Sequence, residues 1–253
     1  MFVQERQDAI LSIVNENGKV LVKDLSQQFD VTEDCIRKDL AVLEKKSLLK
    51  RAYGGAVSIR INSHQGDVAQ RRNEYIQEKR VLAHKALTLI KERDTIFLDI
   101  STANVELAKL LIEQNMNVTV VTNMVDVIIA LSAPCNVSLF FIGGSFNRGR
   151  DGFIGSSSIG QISQLRCDLA FMGTVGVDSF NDSVYTYVPD DGLTKKAILR
   201  VSRQAYLLVE KRKFNMEGNF KYAELEDFQG LIIDDTPDAA ILEKLKHYEI
   251  EVL

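Results

Sequence analysis

Residues 31–43 read VTEDCIRKDLAVL. Thr32 stands where an N-cap belongs, its hydroxyl able to accept an orphan N–H of the first helical turn. Val31 before it is placed to fold back as a hydrophobic staple. Ile36, Leu40 and Leu43 fall at i, i+4 and i+7, an apolar stripe along one side of a short helix. At about 100° per residue, Lys38 lies opposite that stripe, in line with Asp34, Ala41 and Lys45, with Cys35 and Arg37 on the flanks. One face is built for burial and the other is mainly basic, with small Ala41 allowing a close approach.

Working outward, Val22–Phe29 forms a short helix on Val22, Leu25 and Phe29, and residues 3–16 a first helix on Ala9, Ile10, Ile13 and Val14. Asn17-Gly18 stops that helix and Val20-Leu21 is extended. After the basic helix, Leu48–Ala52 and Ala56-Val57 flank Gly54-Gly55, which predicts a hairpin turning at the two glycines. Helix, turn, basic helix and basic hairpin make a winged helix-turn-helix. Residues 37–51 carry six basic and two acidic side chains, so +4, whereas the whole chain is at −4 and the remainder at −8. A charge run is commonly a solvated helix face, but this one coincides with a DNA-reading motif, and the acidic remainder repels DNA elsewhere.

The stretch resembles the DeoR family of bacterial transcriptional repressors, whose second helix follows V-S-x-x-T-I-R-R-D-L and whose wing ends in G-G-A. Val31, Thr32, Ile36, Arg37, Asp39, Leu40 and Gly54-Gly55-Ala56 match, while Cys35 and Lys38 replace a Thr and an Arg. The resemblance implies double-stranded operator DNA as a partner. Thr32, Cys35, Arg37, Lys38, Lys45, Arg51, Tyr53, Gly54 and Gly55 are the candidate contacts.

With 253 residues and 45% hydrophobic content, the chain is long enough for this head and a larger domain. We expect a DNA-binding domain over 1–58, a polar linker over 59–73 and an α/β domain over 74–253. In that domain a long helix over 74–93 is followed by strands near 95–100, 118–122, 137–142, 169–175, 205–210, 231–233 and 249–253. Helices fall near 104–114, 125–131, 156–165, 191–203 and 238–246. Near-continuous apolar strands alternating with helices predict a mostly parallel sheet covered on both faces. Three cysteines (Cys35, Cys135, Cys167) without C-x-x-C spacing indicate neither a disulfide framework nor a zinc site. His64, His84 and His247 are scattered, and no cofactor is implied. The first twenty residues carry acids and lack an apolar core segment, and no run is long enough to span a bilayer, so a cytoplasmic location without membrane attachment is expected.

Ligands of open α/β sheets bind at the carboxyl ends of strands. Here those ends are Asp99-Ile-Ser-Thr-Ala-Asn104, Thr122-Asn123, Gly143-Gly144 and Gly173-Thr-Val-Gly176, the last preceded by Asp168. Each alone is more often a turn than a ligand site, but together they converge on one sheet edge. The family resemblance implies a fold like ribose-phosphate isomerase and glucosamine-phosphate deaminase, and a phosphorylated sugar as effector held by a D-x-G-T-T-like loop. Asp99, Ser101, Thr102 and Ala103 occupy that loop, with Ser101 and Ala103 departing from it. Thr122, Asn123, Gly143, Gly144, Asp168 and Lys195 complete the candidate set. Lys213-Phe214 corresponds to a further family motif.

The function expected is a repressor of a carbohydrate-utilisation operon, released by a phosphorylated sugar. Reading paired half-sites requires a homo-oligomer, a dimer or tetramer. Two alternatives are an isomerase- or deaminase-like enzyme and an effector-independent regulator. For the enzyme, Asp99 and Asp168 are the available carboxylates, with no second carboxylate evidently paired with either and no histidine near the loops.

Overall fold

In the computed structural model the described residues are 3–17, 19–46, 48–58, 68–149, 151–179, 181–214, 216–248 and 250–253. The chain forms two compact units, Met1–Ile61 and Asn62–Leu253.

The first unit contains α1 (Val3–Asn17), β1 (Lys19–Leu21), α2 (Val22–Gln28), α3 (Glu33–Lys45), β2 (Leu49–Ala52) and β3 (Gly55–Ser58). Thr32 is extended and its hydroxyl accepts the Cys35 N–H at 3.3 Å, which starts α3 where expected. Ile36, Leu40 and Leu43 are buried with Ile10, Val14, Leu25 and Leu49, so the apolar stripes of three helices meet in one small core. The strands order as β1-β3-β2, all antiparallel. The hairpin turns at Tyr53-Gly54 rather than at the two glycines: Ala52 pairs with Gly55, and Gly54 takes the left-handed φ of +77°. Gly55 is already in the central strand, where a Cβ would lie 1.8 Å from the Val20 carbonyl oxygen.

The second unit opens with α4 (Val68–Asn73). The expected linker is therefore helical over its last six residues, and its 59–67 portion lies outside the described residues. Next comes α5 (Ile76–Leu87), shorter than the expected 74–93 helix. Tyr75 is left-handed at φ +54°, separating α5 from α4, and Thr88, Leu89 and Ile90 bond three residues back, tightening the last turn.

The alternating body is β4 (Thr95–Leu98), α6 (Thr102–Glu113), β5 (Thr119–Thr122), α7 (Val125–Leu131) and β6 (Ser138–Phe141). A hairpin of β7 (Ser145–Asn147) and β8 (Gly152–Ile154) precedes α8 (Ser156–Ile162), β9 (Cys167–Gly173), β10 (Gly176–Asp178) and β11 (Ser183–Thr186). The chain ends with α9 (Pro189–Val201), β12 (Ser202–Val209), β13 (Phe220–Ala223), β14 (Gly230–Ile233), α10 (Ala239–His247) and β15 (Glu251–Val252). Among the described residues, seven strands form a parallel sheet in the order β15-β14-β12-β9-β4-β5-β6. One apolar cluster around Leu98, Leu107, Val120 and Phe171 covers one face; another around Phe97, Val121, Ile198 and Leu207 covers the other. Two additions are absent from the sequence expectation: the β7–β8 hairpin and a small antiparallel sheet, β10-β11-β13. Their strands are three or four residues long, and β10 is buried throughout, so no period-2 alternation marks them.

Strand order reverses between β4 and β9. From β4 the chain runs outward through β5 to β6, returns to β9 on β4's other side, then continues outward to β15. That reversal leaves a crevice at the carboxyl ends of β4 and β9, the place where such sheets bind ligands. No helix of the described residues is long and apolar enough to cross a membrane.

Candidate functional site

On the first unit, α3 exposes Arg37, Lys38 and Lys45. Lys38 pairs with Asp34 at 3.0 Å and Arg37 with Glu33 at 2.6 Å, each one turn back. Asp34 raises the Lys38 pKa by hydrogen bond and charge. Arg51 of the wing pairs with Glu44 at 2.7 Å, and its backbone N–H donates to the same carboxylate, tying β2 to α3. Those two bonds, backbone first, hold Glu44 below the usual carboxylate range. Tyr53 and Gly54 stand exposed at the wing tip.

Three candidates also serve the fold. Gly55 is buried in the central strand, and Thr32's hydroxyl accepts the cap bond. Cys35 is half-buried, its Sγ accepting from Arg6 Nη2 at 3.2 Å. Arg6 also pairs with buried Asp39 at 2.6 Å, whose other oxygen accepts from Gln7 at 3.0 Å. Asp39 therefore joins α1 to α3 rather than facing a ligand.

On the second unit the crevice is lined by Arg71, Ile100, Ser101, Thr102, Gly173, Thr174, Val175, Thr186, Asp191, Lys195 and Lys213. Asp99, fully buried, accepts from Lys195 Nζ and, at 2.9 Å, from the Gly173 N–H. Both bonds reach Oδ2; Oδ1 accepts from no described group. Burial pushes the Asp99 carboxyl up, opposed chiefly by the Lys195 charge. Asp191 lies 4.0 Å from Lys195 on its other side and accepts from the Thr186 hydroxyl. Lys195 also sits 5.6 Å from the Tyr222 ring, whose hydroxyl donates to the Gly173 carbonyl at 2.9 Å. A Cβ on Gly173 would lie 2.6 Å from Ser101 Cβ, so glycine is what lets the β9 end close on the β4 loop. Ser101 caps α6 through its hydroxyl, accepting from Ala103 N–H at 3.3 Å, and Thr102 follows in the first turn. Lys213 donates to the Thr174 carbonyl and pairs with Glu210, each at 3.0 Å, and burial pushes its pKa down. The crevice thus offers three cationic side chains, four hydroxyls and a helix N-terminus, the set that suits an anion bearing hydroxyls.

Other expected members lie elsewhere. Asp168 is at the start of β9, the end of the strand opposite the crevice, where it accepts from Thr95 N–H at 3.0 Å; strand direction, invisible in the local text, separates it from Gly173 by the strand's length. Ala103 is buried in the core between sheet and α6. Thr122 donates to the Leu98 carbonyl and accepts from Met124, and Asn123 donates to Phe153 of the β7–β8 hairpin. Gly143 accepts from Ser158 and Gln161, and Gly144 packs on Ser158. These residues build the neighbouring strand ends and do not line the crevice. Conversely, Asp191 is the second carboxylate missing from the sequence expectation, although its i, i+4 spacing to Lys195 already placed both on one helix face. Arg71 falls in the segment read as linker, and its place just before the helix expected from residue 74 is the one sign that this end packs.

A winged helix-turn-helix followed by an α/β unit with an anion-suited crevice defines a two-domain transcriptional regulator. Residues 6–62 match the DeoR-like helix-turn-helix domain and residues 74–235 the DeoR C terminal sensor domain. The chain belongs to the DeoR family. It is 32% identical over its whole length to the uncharacterized HTH-type transcriptional regulator YulB of Bacillus subtilis, covering 96% of that protein. It is 26% identical to the HTH-type transcriptional repressor GlcR of the same organism, covering 100% of this chain and 96% of the relative. The glycerol-3-phosphate regulon repressor of Escherichia coli is 28% identical, with 98% and 97% covered. Among solved structures, ribose 5-phosphate isomerase A of Methanocaldococcus jannaschii overlaps 54% of this chain and 53% of its own at TM-score 0.40 and 14% identity, too partial a likeness to bear on chemistry.

Proposed function

We propose that the protein is a cytoplasmic repressor of a carbohydrate-utilisation operon, released from its operator by a phosphorylated sugar. Residues 1–58 read DNA through Arg37, Lys38 and Lys45 of α3 and Arg51, Tyr53 and Gly54 of the wing. Residues 74–253, with Arg71 from α4, hold the effector. One observation carries the effector reading. A buried carboxylate, Asp99, keeps one oxygen without a described partner beside Lys195, at the switch point and next to the α6 N-terminus. Asp99 holds Lys195 at the crevice, and Lys195, Lys213, Arg71 and the Ser101–Thr102 turn receive the phosphate. For release, the effector must favour a conformer whose paired heads no longer match the half-sites; equal affinity for both conformers shifts nothing. The chain works as a homo-oligomer, because paired half-sites require paired heads.

Fluorescence anisotropy of DNA from upstream of the gene's own operon tests this, with and without a mixed pool of sugar phosphates. Tight, salt-sensitive binding that the pool weakens is expected. Tight binding that no sugar phosphate changes refutes the effector and leaves a ligand-independent regulator.

A second reading, sugar-phosphate isomerisation or deamination, draws on Asp99 and Asp191 bracketing Lys195. General acid–base work needs a carboxylate free to move a proton, whereas Asp99 Oδ2 is held by Lys195 and Gly173. Turnover of a sugar phosphate by the purified protein would favour it.

A further inference from the structure

The sheet has two edges, built differently. At one, β15 is only two residues long and carries Glu251, the usual protection of a sheet edge. At the other, β6 reads Ser-Leu-Phe-Phe and all four residues are exposed. It pairs with β5 on one side, and among the described residues no strand pairs with the other. Leu139 is 37%, Phe140 49% and Phe141 40% exposed. Phe141 packs edge-on against Phe153 at 5.1 Å, and Phe153 against Phe146 at 5.3 Å, so the β7 ring, 47% exposed, continues the same apolar surface. From Val127 to Asn147 the sequence has no charged residue, in a chain that is 26% charged. A soluble chain leaves such an edge uncovered only at the risk of aggregation.

The absence of charge fits this surface to itself and disfavours DNA or any strongly charged partner. The backbone is self-complementary as well. Ser138 and Ile142 donate toward β5, to Val118 and Thr122 at 2.9 Å each, so the alternate residues Leu139 and Phe141 turn their N–H and C=O groups outward. In an antiparallel pair of two β6 strands, Leu139 of each copy exchanges both bonds with Phe141 of the other, and Phe140 meets its own counterpart. The four side chains offer roughly 350 Å² of apolar surface per copy at about 200 Å² for a whole ring. With somewhat under 60% of a specific interface apolar, two copies correspond to roughly 1,200 Å², the lower end of stable dimers.

We propose that β6 docks a second copy of this chain, the two strands pairing antiparallel about a two-fold axis beside Phe140 and joining two sheets into one. This makes specific the self-association proposed above. The test is sedimentation of the full-length chain at micromolar concentration. Wild type is expected at a dimeric or tetrameric mass, and Phe140→Glu at half that mass with an unchanged circular dichroism spectrum. A second measurement stands if that variant folds poorly. With Cys35 and Cys135 replaced by serine, Phe140→Cys is expected to form a covalent dimer under mild oxidation. Ser138→Cys is not, because off-axis positions lie beyond the 7 Å or so between Cα atoms that a disulfide spans. A monomeric wild type overturns both this proposal and the self-association it refines. An oligomer that Phe140→Glu leaves intact and Phe140→Cys fails to cross-link overturns this one alone, placing the interface elsewhere.

Discussion

Lys195 of α9, which lines the crevice where strand order reverses, donates to Asp99, buried at the end of β4, joining residues 96 apart in sequence. Removing one partner of a buried pair strands the other. Lys195→Met is expected to destabilise the second unit by about 3–5 kcal/mol and to abolish the response to sugar phosphate while leaving DNA affinity intact. Burial already raises the Asp99 pKa. A carboxyl whose folded pKa lies above its unfolded value is stabilising when protonated and loses that contribution as pH rises. The deficit of the variant therefore grows from pH 5 to pH 8 in urea titrations, and a deficit that ignores pH sinks the assignment.

Lys38 and Asp34 form an exposed pair on the outer face of α3. Lys38→Ala is expected to weaken operator binding and reduce the slope of log K against log salt by about 0.9, one phosphate contact. Asp34→Ala, which frees Lys38, should strengthen it. Anisotropy across a salt series reads both, and unchanged slopes would remove Lys38 from the interface.

The Arg6–Asp39 pair holds α1 to α3 inside the head. Asp39→Ala should cost about 3–5 kcal/mol and speed hydrogen exchange over residues 3–46 of the full-length chain. Arg6→Met with Asp39→Leu should recover most of the loss, since an apolar pair removes the uncompensated charge. If Asp39→Ala instead changes only DNA affinity, Asp39 acts at the DNA surface.

Lys79 is buried and donates to the carbonyls of Arg71 and Glu74, behind the crevice. Burial, with help from neighbouring cations, lowers its pKa to about 8. The unfolded chain then binds more protons between about 8 and 10.5, so stability rises with pH across that window. The neutral amine keeps two N–H groups for the two carbonyls. Relative to Lys79→Met, wild type is expected to gain on the order of 2 kcal/mol between pH 7 and pH 10. Parallel slopes in chemical denaturation would show that Lys79 titrates normally.

The sequence by itself determines the local parts. The Thr32 cap, the Ile36-Leu40-Leu43 stripe and the charge run of residues 37–51 specify the head, because caps and helical periodicity act within a few residues. The apolar strands alternating with helices likewise specify a parallel sheet, and the Asp99–Asn104 loop and Lys195 mark its ligand edge. Tertiary structure decides what depends on strand order and direction. It sends Asp168 to the far end of β9 and brings Asp191, Arg71 and Lys213 to the crevice. It also turns Asn123 into a support for the β7–β8 hairpin, Thr122 into a link to Leu98 of β4, and Asp39 into a bond between helices. Those assignments rest on contacts between segments tens of residues apart, whose registers are set by how two apolar layers close on one sheet, and no local pattern carries that information.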